Sequence, residues 1–129
     1  VSNEPIQTTL APAAIGPYSQ AIRAGQGRFV FLSGQIPIDP ATGAPVAGDV
    51  KDQTHQVMRN LQAVLRAAGG DFEHVVKTSI FLRDLADFAH VNEVYASYLT
   101  PPYPARATVE VGRLPRDVQI EIDAVAVIP

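Results

Sequence analysis

Residues 118–128 read Val118-Gln119-Ile120-Glu121-Ile122-Asp123-Ala124-Val125-Ala126-Val127-Ile128, and this stretch decides the fold. Side chains alternate between faces along a strand. Ile120, Ile122, Ala124, Ala126 and Ile128 therefore point one way, and Gln119, Glu121, Asp123, Val125 and Val127 point the other. The first face is wholly apolar and needs cover from within the chain. The second is half apolar, so full exposure to water is not expected of it. The expectation is a sheet with one face under its own helices and the other packed against further copies of the chain.

Working back from this strand, proline and glycine mark the segment ends. Ala105 to Val111 reads as another strand, preceded by Pro101 and Pro102, which stop a helix. That helix is expected after Asp84, with Asp87 favouring its positive end and Leu85, Phe88, Val91, Tyr95 and Leu99 along one stripe. Before it, β-branched Val75, Val76, Thr78 and Ile80 predict a strand from about His74 to Leu82. A first helix is expected from the N-cap Asp49 to Gly69 and Gly70, with Val50, Val57, Met58, Leu61, Val64, Leu65 and Ala68 at helical spacing. Residues 36–49 read as a loop. Phe29 to Gln35 and Ala21 to Ala24 read as two strands joined at the Gly25–Gln26–Gly27 turn, and residues 1–20 as irregular. The order β-β-α-β-α-β-β predicts an α+β fold, a mixed sheet covered on one face by two helices.

The 129 residues suit a single domain spanning 1–129. Ten basic and thirteen acidic residues give a net charge of −3, and the basic ones are scattered from Arg23 to Arg116. That argues against general nucleic-acid binding, which needs a concentrated cationic surface. The absence of cysteine excludes disulfides, thiolate catalysis and cysteine ligation of a metal. No secretory segment or apolar run of the ~18 residues a membrane span requires is visible. A cytoplasmic protein is the expectation.

Asn92 lies between Val91 and Tyr95, on or beside the buried stripe. An unpaired buried amide costs ~1–3 kcal/mol, so Asn92 either ties two elements together or serves a ligand. Arg106 opens an apolar strand after Pro104 and Ala105. Its guanidinium either pairs with a surface carboxylate or grips a ligand's carboxylate through two parallel bonds. Glu121 in its apolar strand suits proton transfer, but Asp123 shares its face and parity does not choose between them. Ser33 and Gly34 end a strand, and a glycine there lets a ligand approach the backbone. No Gly-x-Ser-x-Gly elbow accompanies Ser33. His55, His74 and His90 have no metal-ligand spacing and read as structural or solvated.

Several blocks resemble one family. Ala11-Pro12-Ala13-Ala14-Ile15-Gly16-Pro17-Tyr18-Ser19-Gln20 opens the series, and Leu32-Ser33-Gly34-Gln35-Ile36-Pro37 follows. Val76-Lys77-Thr78, Asp84-Leu85 through Phe88, and Val91-Asn92 form a middle block. Tyr103-Pro104-Ala105-Arg106-Ala107-Thr108-Val109-Glu110-Val111, Leu114-Pro115 and Ile120-Glu121-Ile122 complete it. In this order and spacing they resemble the Rid family, the YjgF-type reactive intermediate deaminases, over about residues 11–128. Arg106 and Glu121 together place the resemblance nearest the RidA-like subgroup.

The resemblance implies a chorismate-mutase-like α+β fold and a homotrimer with active sites in the clefts between subunits. It implies hydrolysis of 2-imino acids, such as 2-iminobutanoate and 2-iminopropanoate, to 2-oxo acids and ammonia, with no cofactor and no metal. Arg106 would bind the substrate carboxylate, Glu121 would orient or activate water and move protons, and Tyr18 would enclose the substrate. Ser33 and Asn92 would line the pocket, and backbone groups at Gly34 and Thr108 would complete the carboxylate contacts. Two features depart from the pattern. Thr108 stands where many RidA-type members carry cysteine, and the segment Thr100 to Tyr103 is shorter than in some relatives. Two other readings compete: a ribonuclease or translation inhibitor, and a noncatalytic trimer that binds 2-oxo acids or a regulatory partner.

Overall fold

The computed structural model describes residues 3–129. In chain order its elements are β1 (Glu4–Ile6), β2 (Ala21–Arg23), β3 (Arg28–Gln35), β4 (Ile38–Asp39), β5 (Ala44–Pro45), α1 (Val50–Ala67), β6 (Val75–Leu82), α2 (Phe88–Ser97), β7 (Ala105–Glu110) and β8 (Ile120–Ile128). Short 3-10 turns occupy Phe72–His74, Leu85–Asp87 and Pro115–Asp117.

The first helix forms where its signals lie. The Asp49 carboxylate accepts from the Asp52 backbone N–H, and Asp52 returns the bond to the Asp49 N–H, each at 3.0 Å. This reciprocal box satisfies donors a helix start leaves open. At the other end Gly69 takes φ +88°, and the Gly70 N–H closes on the Leu65 carbonyl at 2.9 Å. Val57, Met58, Leu61 and Leu65 are almost fully buried. Each contributes roughly 1.5–3 kcal/mol by leaving water.

The main sheet runs β3-β8-β6-β7. β8 is antiparallel to both β3 and β6, and β6 is parallel to β7. The chain thus steps in one direction across the sheet, from β3 through α1 to β6 and then through α2 to β7. Right-handed crossovers that step the same way place both helices on the same face. The structure is α+β, with two helices packed on a mixed sheet. Ile120, Ile122, Ala124, Ala126 and Ile128 all face that core.

The opposite face carries Phe29 and Phe31, 65% and 76% exposed, with their rings stacked at 6.2 Å. Val109 is also exposed there, and Phe81 and Val125 are half-buried. Among the described residues no element covers Phe29, Phe31 or Val109.

Pairing differs from expectation at the front of the chain. β2 does not pair with β3 across the Gly25–Gln26–Gly27 turn. It pairs with β1, in a register of Glu4 with Arg23, while β3 pairs with β8. Residues 1–20 are therefore not wholly irregular, because Glu4–Ile6 is a strand; residues 1 and 2 lie outside the described residues. The 36–49 loop contains the β4–β5 ribbon. The second helix begins three residues late, at Phe88, because Asp84 caps the 3-10 turn that precedes it. The last strand begins at Ile120 rather than Val118.

Gly27 shows why the turn is built as it is. Its φ is +153°, and a Cβ there would sit 2.6 Å from the Ile128 carbonyl oxygen. Gly27→Ala is expected to destabilise the fold by about 1–3 kcal/mol, read as a melting temperature lowered by roughly 3–10 °C. An unchanged melting temperature would mean that the end of β8 yields freely.

Candidate active site

Arg106 is the second residue of β7, an edge strand. Its register partner in β6 is Thr78, which is buried under α2. Arg106 therefore leaves the sheet toward α2. There its Nη1 donates to Asn92 Oδ1 at 2.8 Å. Three aromatic rings surround the guanidinium: Tyr18 and Phe88 at 5.3 Å from its Cζ, and Tyr95 at 5.4 Å. Such contacts steady a cation through the ring quadrupole without neutralising it.

The Tyr18 ring is brought in by its neighbour. The Ser19 N–H donates to the Pro104 carbonyl at 3.1 Å, and Ser19 forms a parallel bridge with Ala105. Gly16 completes this wall, where a Cβ would lie 3.6 Å from Arg106 Nη2.

Arg106 is half-buried, and among the described residues it makes no ion pair. Burial pushes its pKa down, against the opposing pull of the Tyr95 and Tyr18 hydroxyls, yet an arginine remains charged. The ion pairs that do form, Lys51–Glu93, Arg66–Asp71 and Arg113–Asp117, lie at the surface. A partly desolvated, oriented cation with no counter-charge suits an anionic ligand. Thr108, two residues further along the same face of β7, has a buried Oγ1 without a hydrogen-bond partner in the described structure.

Glu121 lies on the other face of the sheet. Its neighbours Ile120 and Ile122 are fully buried in the core, so Glu121 projects away from it, opposite Phe81. Between β3 and β8 the register shifts after Leu32 and resumes at Gln35. The irregularity falls on Ser33 and Gly34, both exposed. Bulges of this kind re-aim groups beside functional sites. A Cβ on Gly34 would overlap the Glu121 carboxylate and lie 2.8 Å from its Cδ. The glycine thus makes room for that carboxylate, a relation Asp123 does not share.

The structure therefore brings the predicted residues together in two groups. Arg106, Asn92, Tyr18 and Thr108 lie on the helix side, and Glu121, Gly34 and Ser33 on the open side. Within one chain the groups do not meet. A separate cavity of about 530 Å³ is lined by Ile22, Phe72, Tyr98 and Pro101 among others, and contains none of these residues.

Phe88 and Tyr95 were expected only as part of the buried stripe, yet both are plates around Arg106. The signal was available: Phe88, Asn92 and Tyr95 stand at i, i+4 and i+7 and share a helix face. His55 bonds the Tyr98 hydroxyl at 2.9 Å, and His74 Nδ1 accepts the Asp71 N–H at 3.0 Å. Both are structural, and His90 is exposed.

Comparison with known proteins gives the family and bears out the fold. The family model described as Endoribonuclease L-PSP matches residues 8–128. The chain is 58% identical over 127 residues to Protein DfrA of Myxococcus xanthus, covering 98% of this chain and 97% of that protein. It is 48% identical over 122 residues to the 2-iminobutanoate/2-iminopropanoate deaminase of Mus musculus, covering 95% and 89%. The crystal structure of RidA from an Antarctic Psychrobacter bacterium superposes with a TM-score of 0.75 at 46% identity, covering 97% of this chain and 99% of that one. No helix among the described residues is long and apolar enough to cross a membrane. With matched sequence blocks, shared fold and near full-length coverage, the chain belongs to the Endoribonuclease L-PSP family, whose members also carry the names RutC and Rid.

Proposed function

We propose that this protein hydrolyses 2-imino acids, such as 2-iminobutanoate and 2-iminopropanoate, to 2-oxo acids and ammonia. The observation that carries the reading is Arg106, oriented by Asn92 and three rings, half-buried and without a carboxylate partner among the described residues. The deaminase name borne by relatives at about half identity supports it.

The chemistry follows from the groups present. Arg106 takes the substrate carboxylate, and Tyr18 closes the wall beside it. Asn92 holds the guanidinium, and the backbone at Thr108 and Gly34 offers further contacts. The imine carbon, electrophilic once its nitrogen is protonated, needs no covalent nucleophile. Water adds to it, the carbon–nitrogen bond breaks, and nitrogen leaves as ammonia. Glu121 orients that water and carries its proton toward the departing nitrogen. Ser33 lines the same side.

The two groups of residues join when a second copy packs by its open face. The uncovered Phe29 and Phe31 supply the apolar surface for such an assembly. We place the protein as a homotrimer with a site in each cleft.

The test generates 2-iminobutanoate in situ with a threonine dehydratase and traps it with semicarbazide. Suppressed trapping at catalytic protein concentration, with a light-scattering mass three times the chain's 13.8 kDa, is the expected result. Unchanged trapping, with 2-oxobutanoate still bound, would replace the deaminase by a binding protein.

A further inference from the structure

We infer that the buried Thr78–Tyr95 hydroxyl pair is a positioning device for Arg106. This rests on the reading of Arg106 as the carboxylate grip. Thr78 and Arg106 are register partners on adjacent parallel strands, so both side chains rise from the sheet beneath α2. Tyr95 lies over both. Its hydroxyl bonds Thr78 Oγ1 at 2.8 Å, and its ring centre is 5.4 Å from Arg106 Cζ.

The pair is not needed for packing. Tyr95 is fully buried and Thr78 nearly so, in a core of aliphatic side chains where phenylalanine and valine would fill the same volumes. Two hydroxyls there are tolerated only because each satisfies the other. Burial raises the Tyr95 pKa, although the Thr78 bond and Arg106 oppose it, so the hydroxyl keeps its proton, and either oxygen of the pair can donate to the other. What the bond adds is a fixed ring. A tyrosine tied to β6 cannot tilt away from the guanidinium on the neighbouring strand.

The other plates are differently held. Phe88 is 37% exposed, and Tyr18 belongs to an irregular segment anchored through Ser19. Both stand at the edge of the site. Tyr95 is its floor. Asn92, three residues earlier on α2, fixes one guanidinium nitrogen, and the Tyr95 ring stands 5.4 Å from its Cζ. Together they restrict a long, flexible side chain to one orientation, which a bidentate grip requires.

The experiment compares Thr78→Val, Thr78→Ser and Tyr95→Phe with wild type, alone and in an Arg106→Lys background. Melting temperatures are recorded for each. The readouts are KM and kcat for 2-iminobutanoate, and the Kd for 2-oxobutanoate by calorimetry. Thr78→Val and Tyr95→Phe are expected to raise KM and Kd roughly three- to tenfold with kcat within about twofold, since loss of orientation weakens a grip made throughout the reaction. Thr78→Ser restores both constants. In the Arg106→Lys background the same changes have no further effect, because the planar group they orient is gone. Unaltered KM and Kd, or an equal loss in both backgrounds, would overturn the inference. If wild type binds 2-oxobutanoate without hydrolysing the imine, the deaminase reading falls. The binding comparison then still decides the role of the pair.

Discussion

Arg106→Ala is expected to lower kcat/KM for 2-iminobutanoate at least tenfold, and about a hundredfold or more if the grip is bidentate. A charge-assisted hydrogen bond contributes ~1.5–3 kcal/mol, and the substrate offers two oxygens. The loss should not come through unfolding. Arg106 is half-buried with no ionic partner among the described residues, and burial already pushes its pKa down, so the charge costs the fold something. Arg106→Met, which keeps length and packing, should therefore melt at or above the wild-type temperature while losing activity like alanine. Thermal melts beside steady-state kinetics check both halves. A methionine variant that melts well below wild type would show that the guanidinium holds the fold together. A variant that keeps full activity would remove the residue on which the proposed function rests.

Gly34→Ala is the second large effect. The new Cβ would occupy the space of the Glu121 carboxylate, the far end of a flexible side chain. The carboxylate must swing away. A positioned acid–base group contributes about 10²–10⁴ in rate, so kcat is expected to fall by about a hundredfold. Glu121→Gln should give a loss of similar size, and the double variant little more than either alone. Binding of 2-oxobutanoate, gripped mainly by Arg106, should weaken only a few-fold. A kcat that stays within twofold of wild type in Gly34→Ala would mean that the carboxylate needs no defined place. Additive losses would separate the two residues.

The long elements were legible in the sequence because their periods were unambiguous. The first helix had seven apolar positions at helical spacing between an aspartate cap and two glycines, and its box and terminal turn form at those residues. β6, β7 and β8 were legible by β-branching and alternation. The partner of β2 was not, because alternation marks a strand without naming its neighbour. Glu4-Pro5-Ile6 is too short, and its proline too discouraging, to announce one. At the site, Asn92 stood out as an amide against a buried stripe and proved to hold Arg106. Phe88, Tyr95 and Thr78 did not stand out, because side chains that surround a guanidinium look like core until the strand beside them is known. What sets Glu121 apart from Asp123 is its place beside Gly34 at the Ser33–Gly34 irregularity, which depends on pairing between residues nearly ninety positions apart.

The placement of Arg106 and Glu121 on opposite faces of one sheet has a chemical consequence. A flexible arginine and a glutamate sharing a pocket would close on each other and quench both charges. Here a layer of backbone stands between them, so neither can be silenced by the other within a subunit. In the proposed trimer they meet only across a cleft, with substrate and water between. On that reading a single chain is chemically incomplete, and catalytic competence becomes a property of concentration as much as of sequence.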